Sequence, residues 1–104
     1  MSAFLVVDAK SSDPAAMMEY RRLAQQAVEK FGGRHLVRGG ACECLEGTWL
    51  PERLVVVEFE NVEKARAFYH SPEYKAAREV RKECSCFDMV LVEGIDSSSS
   101  RTML

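Results

Sequence analysis

The sequence predicts an α+β fold of β-α-β-β-α-β order, the ferredoxin-like sandwich in which helices cover one face of a four-stranded antiparallel sheet. Three observations predict it. Short apolar runs rich in β-branched residues alternate with stretches whose apolar residues recur every three or four positions. The chain, at 104 residues, holds one domain and little else. Three of the strands are apolar on both of their alternating sets, so the sheet needs cover on both faces.

The first strand is Ala3 to Ala9. Ser11-Ser12-Asp13-Pro14 then starts a helix, with Asp13 as cap and Pro14 at the first helical position, where its missing N–H is harmless. Met17, Tyr20, Ala24, Ala27 and Phe31 form its buried stripe. Gly32-Gly33 stops it, since Gly takes the left-handed cap conformation without strain. Arg34 to Arg38 is the second strand, ended or bent by Gly39-Gly40. Residues 41–53 read as a hairpin connection around a turn, with Trp49 and Pro51 inside it. Leu54 to Glu60 is the third strand, and Asn61 caps a second helix with Val62, Ala65 and Phe68 on its inner face. Ser71-Pro72 restarts this helix rather than ending it, and Tyr74, Ala77 and Val80 continue the stripe. Phe87 to Glu93 is the last strand, closed by Gly94. The domain is therefore residues 1–95, and 96–104, with Ser97-Ser98-Ser99-Ser100, is a polar tail.

Two alternating sets run along the strands. Leu5-Val7, Val55-Val57-Phe59 and Val90-Val92 are apolar throughout and suit the helix side. Phe4-Val6-Asp8, Leu54-Val56-Glu58-Glu60 and Met89-Leu91-Glu93 mix apolar residues with terminal acids. At ~25 cal/mol per Å2, leaving about six such apolar side chains in water sacrifices several kcal/mol. The expected solution is a homodimer whose sheets pack face to face, the mixed set lining a cavity with an apolar floor and a few polar groups.

Composition excludes several classes. Lys plus Arg is 14 against 16 Asp plus Glu, a net charge of −2, which argues against a nucleic-acid partner. No stretch approaches the ~20 apolar residues of a membrane span. The apolar run at Phe4-Leu5-Val6-Val7 has no basic region before it and ends at Asp8, so no targeting segment is read and a cytoplasmic protein is expected.

With these elements in order, Gly32-Gly33-Arg34, Arg38-Gly39-Gly40, Glu46-Gly47-x-Trp49-x-Pro51-x-Arg53, Phe59, Ser71-Pro72-Glu73-Tyr74 and Glu93-Gly94 resemble the pattern of the domain of unknown function 1330 family, over residues 3–94. The resemblance implies a dimeric α/β barrel built from a ferredoxin-like protomer. The wider group includes cofactor-free monooxygenases, haem-handling enzymes and small isomerases or dehalogenases, while the family itself carries no agreed reaction. The cysteines and the serine tail depart from its pattern, so neither inherits a family role.

Arg34 and Arg38 flank Leu36 on one face of the second strand, where a guanidinium near an apolar floor suits a carboxylate or phenolate. The alternative is an ion pair with Glu58, Asp8 or Glu60. His35 falls on the face opposite Arg38, and His70 sits at the helix break. Glu58 and His70 are the candidate proton carriers, and Arg34, Arg38, Trp49 and Tyr74 the candidate ligand contacts, although Trp49 also suits a dimer contact and Tyr74 the core. No Gly-x-Ser-x-Gly elbow supports a nucleophilic triad. Cys42-Glu43-Cys44 and Cys84-Ser85-Cys86 have the wrong spacing for a zinc site, because in an extended segment residues i and i+2 stand ~6–7 Å apart. No metal or cofactor is expected. Two functional readings result: an enzyme acting on a small anionic or aromatic metabolite, of cofactor-free oxygenase or isomerase type, and a non-catalytic ligand-binding or structural dimer.

Overall fold

The computed structural model describes residues 1–95, so the expected tail at 96–104 lies outside the described residues. The elements are β1 (Ala3–Ser11), α1 (Pro14–Lys30), β2 (Arg34–Arg38), β3 (Leu54–Phe59), α2 (Val62–Tyr69), α3 (Pro72–Arg81) and β4 (Ser85–Glu93). They form one antiparallel sheet in the order β2-β3-β1-β4, the ferredoxin-like arrangement.

The local signals work as expected. Asp13 accepts from the N–H groups of Ala15 and Ala16 at 3.0 and 3.2 Å, satisfying two donors that the first turn of α1 leaves open. Gly32 ends α1 at φ +76°, a conformation that strains residues with a Cβ. Asn61 accepts from Lys64 N–H at 2.8 Å, and Ser71 accepts from Tyr74 N–H at 3.1 Å while donating to the Phe68 carbonyl at 2.7 Å. Ser71 is thus the joint at which one helix stops and the next begins.

The core lies between the sheet and the helices. Ala3, Leu5, Val57 and Phe59 meet Met17, Ala27, Val28, Ala65, Phe68 and Ala77. The Phe68 ring packs 5.2 Å from Phe59 and 4.5 Å from Tyr74, which ties both short helices to the sheet. The molecule is only 17 Å through its thinnest dimension, the thickness of one sheet and one helical layer.

The structure corrects three expectations. In β4 the two sets are exchanged: Leu5 pairs with Leu91 and Val7 with Met89, so Phe87, Met89 and Leu91 face the helices. Val90 and Val92 are 56% and 47% exposed on the open face. Both sets of β4 are apolar near its middle, so the sequence alternation could not phase it. The hairpin expected over 41–53 contains no strand; residues 40–50 are an exposed loop. Its Trp49 is pinned to β1, donating from Nε1 to Asp8 Oδ2 at 3.1 Å, while Glu52 N–H donates to Asp8 Oδ1 at 3.2 Å. The third correction concerns β2. Arg34 pairs with Glu58 and His35 with Val57, but a bulge follows, after which Val37 pairs with Val56 and Arg38 with Val55. The extra residue reverses the alternation. Arg34 therefore faces the open side, whereas His35 and Arg38 share the helix side.

Candidate functional site

The bulge brings His35 and Arg38 to the mouth of a cavity of about 110 Å3 between the sheet and the helices. Leu5, Val7, Val57, Met17 and Phe68 make it apolar, Tyr20 and Tyr74 stand in its wall, and Arg21, Gln25, His35, Arg38 and Arg53 complete it. Arg21, Gln25 and Arg38 are exposed, which identifies the opening. The cavity lies on the helix side of the sheet.

Three guanidinium groups converge there, none of them in an ion pair among the described residues. The ion pairs among the described residues, Arg22–Glu19, Lys30–Glu73, Arg34–Glu58 and Lys82–Glu79, leave out Arg21, Arg38 and Arg53. Burial, and then the charges of Arg21 and Arg38, hold Arg53 below the usual arginine range. Gly39 makes this convergence possible. Its N–H donates to the Leu54 carbonyl at 2.8 Å, its φ is +72°, and a Cβ there would lie 2.2 Å from Arg53 Nη1. The Arg53 side chain occupies the space that any larger residue would fill.

Burial, with the same charges, favours neutral His35. Arg38 Nη2 lies 3.0 Å from His35 Nδ1, and a guanidinium can only donate, so Nδ1 accepts and the ring proton belongs on Nε2. Burial first, then Arg38 and Arg53, hold His35 below the ordinary imidazole range, with Glu29 opposing. The hydroxyls of Tyr20 and Tyr74, two residues of its wall, meet at 2.7 Å, and the two residues are 9% and 1% exposed. Burial, then Tyr74, push the Tyr20 phenol up, with Arg81 opposing from 5.2 Å above its ring.

Of the residues singled out from sequence, Arg38 and Tyr74 line this cavity. Arg34 does not: its Nε and Nη2 donate to Glu58 Oε1 at 3.0 and 2.8 Å on the open face. Hydrogen bonds from Ser2 and then Arg34 hold Glu58 below the usual carboxylate range, which makes it a poor proton acceptor at neutral pH. His70 caps the end of α2, with the Tyr69 ring 5.2 Å away, beside a separate open depression. Trp49 is 62% exposed and bonded to Asp8. Among the described residues, no three His, Cys, Asp or Glu side chains converge as metal ligands, and Cys42, Cys44, Cys84 and Cys86 are free thiols. Sequence reasoning read Tyr20 as core and His35 as a surface or hinge histidine, and gave Arg21 no role; Arg53 carried a signal only as the last residue of the Glu46-to-Arg53 pattern.

The family model described as a domain of unknown function, DUF1330, matches residues 2–95. No functionally curated protein sequence matches the chain. Among solved structures, a protein of unknown function from Rhodopseudomonas palustris superposes with a TM-score of 0.72 at 15% identity, covering 91% of this chain and 83% of its own. A dimeric ferredoxin-like protein of unknown function from Jannaschia sp. gives 0.64 at 15% identity, covering 90% of this chain and 100% of that one. SnoaB, a cofactor-independent oxygenase from Streptomyces nogalater, gives 0.63 at 12% identity, covering 95% and 98%. At such identities the likeness establishes the fold.

Proposed function

Because the chain belongs to the DUF1330 family and has a ferredoxin-like protomer, we propose that it is a homodimer, packed sheet against sheet, and that each protomer binds a small, largely apolar metabolite bearing an anionic group. The single observation that carries the ligand reading is the convergence of Arg21, Arg38 and Arg53 on an apolar cavity with no carboxylate paired to them among the described residues. Like charges gathered at a low-dielectric edge repel one another, and an anion removes that repulsion while accepting charge-assisted hydrogen bonds. The cavity floor takes the apolar body, and its size suits something no larger than a single ring or a short chain. The open sheet face, with Phe4, Val6, Val56, Val90 and Val92, supports the dimer, as do the dimeric relatives.

The enzymatic form of the proposal draws on His35. Held neutral beside the anion site, it is the imidazole placed to take a proton from a bound acid once the anion draws Arg38 away from Nδ1. The likeness to a cofactor-independent oxygenase supports looking for oxygen chemistry without a cofactor. Calorimetric titration with benzoate tests the ligand reading. Binding is expected in the wild type, with Arg38→Gln weakening it about tenfold or more. No binding by benzoate or short alkanoates, or equal binding by the variant, overturns the reading. Oxygen consumption with aromatic carboxylates and phenols, lost in His35→Gln, separates the enzyme from a binding module. Sedimentation at micromolar concentration tests the dimer.

A further inference from the structure

The two tyrosines in the cavity wall carry a proton that no described residue accepts. Tyr20, from α1, and Tyr74, from α3, bring two phenolic protons to a pair of oxygens 2.7 Å apart. Their mutual hydrogen bond consumes one. The second has no acceptor among the described residues: no carbonyl or carboxylate bonds either hydroxyl. Arg78 donates to Tyr69, and Arg81, which hydrogen-bonds Tyr20, can only donate and so takes no phenolic proton. Burial holds Tyr20 protonated, so the count stands at physiological pH. Both residues are buried and both line the cavity, whose other polar lining residues are Arg21, Gln25, His35, Arg38 and Arg53.

We infer that the ligand of this cavity carries, beyond its anionic group, a second oxygen that accepts the outstanding hydrogen bond of the Tyr20–Tyr74 pair, which makes it an oxo-carboxylate with the carbonyl set apart from the carboxylate. This rests on the anion reading of the arginine cluster. The arginines take the carboxylate, the apolar floor takes the intervening carbons, and the tyrosine pair takes the carbonyl. A terminal ammonium is a poor fit, since the spare group is a donor and the mouth is cationic. A simple alkanoate leaves the donor unmatched in a buried site, which lowers its affinity.

The test compares 4-oxopentanoate with pentanoate and 5-oxohexanoate with hexanoate in the full chain. In the wild type at least one oxo acid is expected to have an affinity ratio over its alkanoate about fivefold or more above the ratio in the Tyr20→Phe/Tyr74→Phe double variant. If the double variant does not fold, the single variants serve: one of them must lower the ratio by a similar factor. Equal ratios in wild type and variants, with binding still sensitive to Arg38→Gln, overturn the carbonyl contact and leave the anion site standing. Failure of all four acids to bind the wild type overturns both.

Discussion

Removing the hydroxyls of Tyr20 and Tyr74 one at a time and together tests the pairing on which the proton count depends. The bond is 2.7 Å long, at the optimum for O–H···O, between side chains 9% and 1% exposed. Tyr20→Phe or Tyr74→Phe alone removes one partner and leaves the other buried without its bond. Each single variant should therefore lose about 1–3 kcal/mol of stability. The double variant replaces both polar groups by apolar ones of nearly the same shape, so its loss should be only about 0–1 kcal/mol. The sum of the single losses then exceeds the double by about 1–6 kcal/mol, the coupling energy of the pair. Urea unfolding at one fixed protein concentration measures it, because a dimer's apparent stability depends on concentration. A double loss equal to the sum of the singles refutes the reasoning: each hydroxyl would then have its own partner, and no proton would be left over.

Further predictions follow from single features. Val90→Lys, at a site 56% exposed on the open sheet face, should turn the proposed dimer into monomers in sedimentation, since a buried unpaired ammonium costs several kcal/mol; an unchanged sedimentation coefficient speaks against sheet-to-sheet packing. Gly39→Ala forces a Cβ into a φ of +72° and onto Arg53 Nη1, so it should cost about 1–2 kcal/mol in unfolding and weaken benzoate binding; wild-type affinity would show that Arg53 is not an anion ligand. The folded pKa of His35 is lowered, so as pH falls the unfolded chain takes the proton first. Stability should therefore decline as pH drops below about 6.5 and level off once the folded imidazole has titrated too. The lowered carboxylates Glu58, Glu73 and Glu79 lose their contribution only further down, below the ordinary carboxylate range. Thermal melts from pH 7.5 to 5 should show the first decline in the wild type and a flat profile in His35→Gln; equal slopes would mean that His35 is not the group responsible.

Local chemistry made the fold legible. Asp13-Pro14, Gly32, Asn61 and Ser71-Pro72 act through bonds to residues two to four positions away, so their roles can be read without knowing what lies across the chain. The β-branched runs identify strands for a similar reason, because the period of two belongs to the strand itself. Which face each strand residue takes is a different matter. In β4 both alternations are apolar near the middle, so only pairing with β1 selects Met89 and Leu91 for the core. In β2 a single bulged residue reverses the alternation after His35, and nothing in Arg34-His35-Leu36-Val37-Arg38 announces it. That reversal moves Arg38 to the cavity and next to His35, and separates it from Arg34. The remaining site residues come from positions far apart in the chain: Tyr20 and Arg21 from α1, Arg53 from the loop before β3, Tyr74 from α3. By itself the sequence determined the elements, their order, and the arginine and tyrosine chemistry available. The tertiary structure alone decided which of these side chains share a face, because strand register is a long-range choice and one inserted residue exchanges the sheet's two sides.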